Sequence, residues 1–157
     1  MDVAFSDDQE ILRKSAREFL QDQSPPEVVV EAIKKGAGSE ASRRLWDQMA
    51  ELGWMGIGID EAFGGLGLTH VDVALLAEEM GRALVPVPWF STVALAGEAI
   101  AVAGTEAQKR EWLPKIASGE IRATLAVFEQ EARPDIASIR ATARSESGEY
   151  RLEGTKA

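Results

Sequence analysis

The chain has 157 residues, a net charge of −9 from 17 basic and 26 acidic side chains, 45% hydrophobic residues, one histidine and no cysteine. This composition specifies a folded core, in one domain or in one domain with part of a second, and argues against disorder. It excludes disulfides, thiolate metal sites, cysteine nucleophiles and two-histidine zinc motifs, and the acidic surplus argues against a nucleic-acid surface.

The charge is uneven. Residues 1–80 carry 16 acidic and 7 basic side chains, and residues 81–157 carry ten of each. The first half repels nucleic acid and anionic lipid; the second does not repel an anionic cofactor. The acidic start, Met1 to Asp8, lacks the basic and apolar runs of a secretory leader. No run of about 18 apolar residues is present, so no membrane span is expected. A reducing cytoplasm is the expected location.

Punctuation divides the first 120 or so residues into about six helices. Ser6 and Gln9 form a capping box, after which Ile11, Leu12, Ser15, Phe19 and Leu20 line one face. Ser24 is expected to cap a second helix with Pro25 at its first position and Gly36 at its end. A third helix carries Leu45, Met49 and Leu52 on one stripe and stops at Gly53. After a glycine-rich connection over 53–68, Thr69 and Asp72 cap a fourth helix, Val71 to about Arg82. It is apolar on several sides and is expected to be central. A fifth runs from Ser91 to Ala103, and a sixth starts at a Thr105–Gln108 capping box and bends at Pro114.

The period then changes from 3.6 to 2. Arg122–Phe128 and Ile139–Arg144 read as strands, Glu146–Glu149 as a turn, and Tyr150–Leu152 as a returning strand. The expected fold is mainly α: a helical domain over 1–120, then the first strands of a β-barrel-like domain over 121–157. Two or three strands are marginal alone. The chain is therefore expected to be a fragment, or to need a partner for its β-part.

The residues form no complete catalytic constellation. Gly36-Ala37-Gly38-Ser39-Glu40-Ala41 follows a helix rather than a strand, so it reads as a helix end and not a dinucleotide fingerprint. His70, in the first turn of a helix, has no second ligand and reads as exposed or capping. Glu78-Glu79 reads as a solvated face and Asp60-Glu61 as a turn, because helical neighbours point about 100° apart. Glu129 and Glu131 would share a strand face, but no nucleophile accompanies them. Phe63-Gly64-Gly65-Leu66-Gly67-Leu68 is either a tight packed loop or a loop beside a ligand. Trp89 and Phe90 are either core or the wall of an apolar pocket with Ser91 at its mouth.

Taken in order, these segments resemble the acyl-CoA dehydrogenase family. Phe5-Ser6-Asp7-Asp8-Gln9 resembles its opening helix, Leu52-Gly53-Trp54 and Phe63-Gly64-Gly65-Leu66-Gly67 its first loops, and Glu78-Glu79-Met80-Gly81 its central helix. Gly104-Thr105-Glu106-Ala107-Gln108-Lys109, Trp112-Leu113-Pro114 and Ala117-Ser118-Gly119-Glu120 resemble its G-[TS]-x-x-Q-K-x-x-[WY]-L-P and x-[SA]-G-E run. Gly148 to Lys156 resembles a hairpin of its β-domain.

The resemblance implies an FAD-dependent oxidation of an acyl-CoA thioester, of fatty or steroid type, to the 2,3-enoyl-CoA. A separate electron acceptor and a homo- or hetero-oligomer are also implied. The family's catalytic base lies in a C-terminal domain, so no residue here is assigned as catalytic, and none as a metal ligand. Trp89, Phe90, Ser91 and Leu95 fall where the acyl pocket begins. Leu125, Val127, Phe128, Arg133 and Pro134 fall in the flavin-contacting strand, V-x-x-T-E-P-x-x-G-S-D. Here Phe128 replaces the threonine, and Arg133 and Pro134 replace the glycine and serine. The alternative implied is a non-catalytic structural subunit of a heteromeric dehydrogenase, its own flavin site lost.

Overall fold

The computed structural model describes residues 4–36, 38–129 and 138–156. The chain divides into two compact units, Met1–Thr124 and Leu125–Ala157.

In the first unit, α1 (Asp7–Gln23) starts on a complete capping box: Ser6 Oγ accepts the Gln9 N–H at 3.2 Å, and Gln9 Oε1 accepts the Ser6 N–H at 3.1 Å. Ala16 and Leu20 are buried, with Leu12 and Phe19 packed beside them. Ile11 and Ser15 are exposed instead of sharing that face. Ile11 lies about 140° round the helix from Ala16.

Helix α2 (Pro26–Lys35) begins one residue later than expected, with Pro25 at the cap position. The ring of Pro26 pushes Pro25 out of helical geometry. Ser24 instead closes α1, donating its N–H to the Leu20 carbonyl and its hydroxyl to that of Ala83. In α3 (Glu40–Glu51), Leu45, Trp46 and Met49 are buried. Leu52 is exposed because the helix stops before it, with its N–H reaching Gln48 and Ala50 carbonyls.

Two short 3₁₀ turns, Trp54–Gly56 and Glu61–Phe63, carry the glycine-rich connection. Its end folds back on its beginning. The N–H groups of Leu66, Gly67 and Leu68 donate to the carbonyls of Gly56, Ile59 and Ile57 at 2.8, 2.8 and 2.9 Å. Gly65 makes this possible, since a Cβ there would stand 1.9 Å from the Ile59 carbonyl oxygen. The loop is packed tightly on itself.

Helix α4 (His70–Arg82) is capped by Asp72, whose carboxylate accepts the Thr69 N–H at 2.8 Å and hydroxyl at 2.6 Å. It packs on α1 and buries Leu75, Leu76, Met80 and Glu79, while Val71 is exposed. The expected fifth helix is two pieces: a π-helix over Phe90–Gly97, then α5 (Glu98–Ala103). The small side chains of Ala94 and Ala96, and Gly97 with none, leave room for the wider turn; a Cβ on Gly97 would lie 3.3 Å from the Thr92 carbonyl. Helix α6 (Glu106–Ala117) starts on the Thr105–Gln108 box and runs past Pro114 to Ala117.

The main core joins Leu20, Leu45, Trp46, Met49, Met55, Leu76 and Trp89; a smaller one joins Ile59, Leu113, Ile116 and Ala117. Trp46 Nε1 ties them to the end of α6 through a 2.8 Å bond to the Gly119 carbonyl.

Arg122–Phe128 is not a strand. A ladder needs a neighbour, and among the described residues the two strands pair with each other alone. In the second unit, β1 (Thr142–Glu146) and β2 (Glu149–Glu153) form an antiparallel hairpin with Ser145 opposite Tyr150. β1 starts later than expected because Glu129 takes the N–H groups of Arg140 and Ala141, both at 2.9 Å. No helix among the described residues is long and apolar enough to cross a membrane.

Candidate functional site

The acyl-side candidates cluster around the start of the π-helix. Trp89 is buried, and its indole N–H donates to the Trp54 carbonyl at 3.0 Å, so its polar edge serves the core. Phe90 is exposed. Together Trp89 and Phe90 form part of the wall of an apolar cavity of about 370 Å³, completed by Ala77, Met80, Gly81, Leu84, Val85 and Val87. The Ser91 hydroxyl donates to the Pro88 carbonyl at 3.1 Å, which also accepts the Thr92 N–H at 3.1 Å. Leu95 is half-buried.

Thr92 was missed in the sequence. It is wholly buried, and its hydroxyl both donates to the Ala123 carbonyl and accepts the Ala123 N–H, each at 3.1 Å. A threonine among alanines and valines carries no local signal of a partner 31 residues away.

A second cavity, about 570 Å³, lies between α5, α6 and segment 121–123. Ile100, Ala103, Trp112, Ile121 and Ala123 line it. A small cavity of about 120 Å³ has His70 and Glu98 at its edge, with His70 Nε2 3.1 Å from the Glu98 carboxylate. His70 is exposed, as its position in the sequence implies. Among the described residues, no three His, Cys, Asp or Glu side chains come together as a metal site.

The charged centre of the helical unit is Glu79, which the sequence placed on a solvated face. Its side chain is 0% exposed and receives Arg17 through two bonds at 3.0 and 2.6 Å, with Arg82 Nε at 3.1 Å. The Arg17 hydrogen bonds outweigh burial and, with the charges of Arg17 and Arg82, hold the carboxyl below its ordinary range. Burial pushes the Asp72 carboxyl up, but hydrogen bonds from the Thr69 hydroxyl and N–H prevail and leave it lowered.

Of the flavin-side candidates, Leu125 and Phe128 are exposed and Val127 is half-buried. Arg133 and Pro134, like Glu131, lie outside the described residues. Phe128 offers a hydrocarbon ring with no donor or acceptor. The Val127 carbonyl accepts Lys156 Nζ at 3.3 Å, and Glu129 accepts the same ammonium at 3.0 Å. The N–H groups of Arg140 and Ala141, followed by Lys156, lower the Glu129 carboxyl to about 2. Among the described residues Leu125, Val127 and Phe128 carry no polar side-chain group, so any hydrogen bond they could give a flavin is through peptide groups.

Comparison with known proteins places these features. The model of the acyl-CoA dehydrogenase N-terminal domain matches residues 6–120. A (2S)-methylsuccinyl-CoA dehydrogenase from Cereibacter sphaeroides is 38% identical over 111 residues, 70% of this chain and 20% of that protein. The structure of an acyl-CoA dehydrogenase complexed with FAD from Bacillus anthracis has 31% identity and a TM-score of 0.80, over 96% of this chain and 26% of that one. The ChsE4–ChsE5 complex from Mycobacterium tuberculosis has 30% identity and a TM-score of 0.77, over 99% of this chain and 39% of that one. The chain thus spans between a fifth and two-fifths of the length of these proteins. With its helical unit matched across 6–120, from the first capping box to the end of the sixth helix, the chain belongs to the acyl-CoA dehydrogenase family.

Proposed function

We propose that this chain is the N-terminal part of a subunit in an FAD-dependent assembly that oxidises an acyl-CoA thioester to the 2,3-enoyl-CoA and passes electrons to a separate acceptor. The family match over residues 6–120 carries this reading. In it, a helical domain over 1–120 supplies Trp89, Phe90, Ser91 and Leu95 to the acyl side, and a β-domain begins at 121. Leu125, Val127, Phe128, Arg133 and Pro134 lie toward the flavin, and with Phe128 in place of a hydroxyl-bearing residue any approach there is through peptide groups. The test uses the natural gene product containing these residues, purified alone and with any paralogous chain that co-purifies. Bound flavin and acyl-CoA oxidation in at least one preparation are expected; neither in both would end the reading.

A second reading is favoured by Phe128 and by the engagement of Val127 and Glu129 with Lys156. Here the subunit is structural, and flavin is held by a different chain. The two-chain complex among its solved neighbours supports assembly with a different chain. Phe128→Thr with Pro134→Ser then leaves the activity of the complex flat. A large gain in flavin retained by this subunit alone would favour the first reading.

A further inference from the structure

Helix α2 leaves one apolar stripe uncovered. Pro26, Val29, Val30 and Ile33 fall at i, i+3, i+4 and i+7, on a single face. All four line a groove of about 630 Å³, which Leu20 of α1 and Leu84 after α4 also line. Ile33 and Leu84 are 76% and 69% exposed, and Val30 is 47% exposed. Single exposed apolar side chains are ordinary, but several sharing one groove mark a binding surface. The charged lining of the groove is Arg17, Arg82 and Glu79, two guanidiniums against one carboxylate. Arg17 gives Glu79 its Nε and one terminal nitrogen. Arg82 meets Glu79 through Nε at 3.1 Å, and its terminal nitrogens donate to no described residue. A surplus cation is unusual in this half of the chain, where residues 1–80 carry 16 acidic and 7 basic side chains.

We infer that this groove binds a carboxylate carried on a hydrocarbon chain, a free fatty-acid anion of medium length. The chain covers the α2 stripe and Leu84. Its carboxylate takes the terminal N–H groups of Arg82, whose planar fork matches two carboxylate oxygens. Charge complementarity selects the class: a neutral or cationic amphiphile would leave the surplus guanidinium unmatched. The volume lies within the roughly 300–1,000 Å³ of pockets in which a few convergent polar groups orient an apolar ligand. None of Trp89, Phe90, Ser91 and Leu95 lines this groove, so the inference does not rest on the proposed oxidation of acyl-CoA.

The test titrates decanoate into the natural gene product containing these residues, read by calorimetry. Saturable binding with a Kd of about 10–100 µM is expected. Decyltrimethylammonium, with the same chain and a cationic head, is expected to bind at least about tenfold more weakly. Arg82→Gln is expected to weaken decanoate about tenfold, through the lost charge-assisted hydrogen bonds. Ile33→Glu changes an exposed side chain, so the fold is kept, and a carboxylate in the groove is expected to lower the affinity at least about tenfold. No saturable binding, or equal binding of the two head groups, overturns the inference. So does a decanoate affinity unmoved by Ile33→Glu or by a folded Arg82→Gln. Amides of α2 already protected from exchange in the ligand-free assembly, with decanoate adding nothing, would mean that polypeptide fills the groove, and would overturn it too. A failure of acyl-CoA oxidation overturns the proposed function and leaves these expectations standing.

Discussion

Glu129 and Glu79 hold two parts of the chain by different means, and acid separates them. Both carboxyls are lowered in the folded chain, so each contributes stability that is present above its unfolded pKa and lost as pH falls through the folded value. For Glu129 that window runs from the ordinary 4.5 down to about 2. The amides of Arg140 and Ala141 should stay protected from neutral pH to the top of this window and exchange freely at its bottom, as read by NMR. Glu129→Gln should remove the effect. Glu79 is wholly buried, so neutralising it leaves Arg17 and Arg82 facing an amide that cannot match two guanidinium groups. Glu79→Gln is expected to cost about 2 kcal/mol, read from denaturant unfolding of the helical unit.

Among the elements, the two loops and caps that hold closely spaced backbones are the sensitive ones. Gly65→Ala would drive a methyl into the Ile59 carbonyl, and a loss of about 2–3 kcal/mol in thermal or denaturant unfolding is expected. Ser6→Ala, which removes one half of a solvent-facing capping box, should cost only about 1 kcal/mol. These two positions also illustrate what the sequence discloses. Caps are local: Ser6 with Gln9, Thr69 with Asp72 and Thr105 with Gln108 each sit three residues apart, so spacing alone locates three helix starts. Pairings across the chain are not local. Nothing beside Glu79 announces Arg17, 62 residues away, and Thr92 gives no sign of Ala123. The strand expected over 122–128 fails for the same reason, since alternation describes a face and not a neighbour. The π-turn was invisible because its residues also satisfy α-helical periodicity. At the candidate site, Trp89 and Phe90 prove to be both core and cavity wall: the first is buried with its N–H spent on Trp54, the second lies open.

For the whole molecule, family membership follows from the helical unit, while the proposed approach of segment 125–134 to a flavin meets a hydrocarbon ring at Phe128. The distinguishing measurement is flavin content of the natural assembly against that of this subunit alone, with Phe128→Thr and Pro134→Ser as the restoring pair. The hairpin has a separate consequence, for handling. Its pairing puts Ala143 opposite Leu152 and Ser145 opposite Tyr150 on one face, with Arg144 opposite Arg151 and Glu146 opposite Glu149 on the other. Leu152 and Tyr150 are 78% and 75% exposed. A two-stranded ribbon with a greasy side, and with no further strand on its edges among the described residues, is a template for cross-chain stacking. Concentrated solutions of the 157-residue chain should therefore scatter light increasingly with time. Leu152→Lys should suppress that scattering while leaving the melting of the helical unit in place.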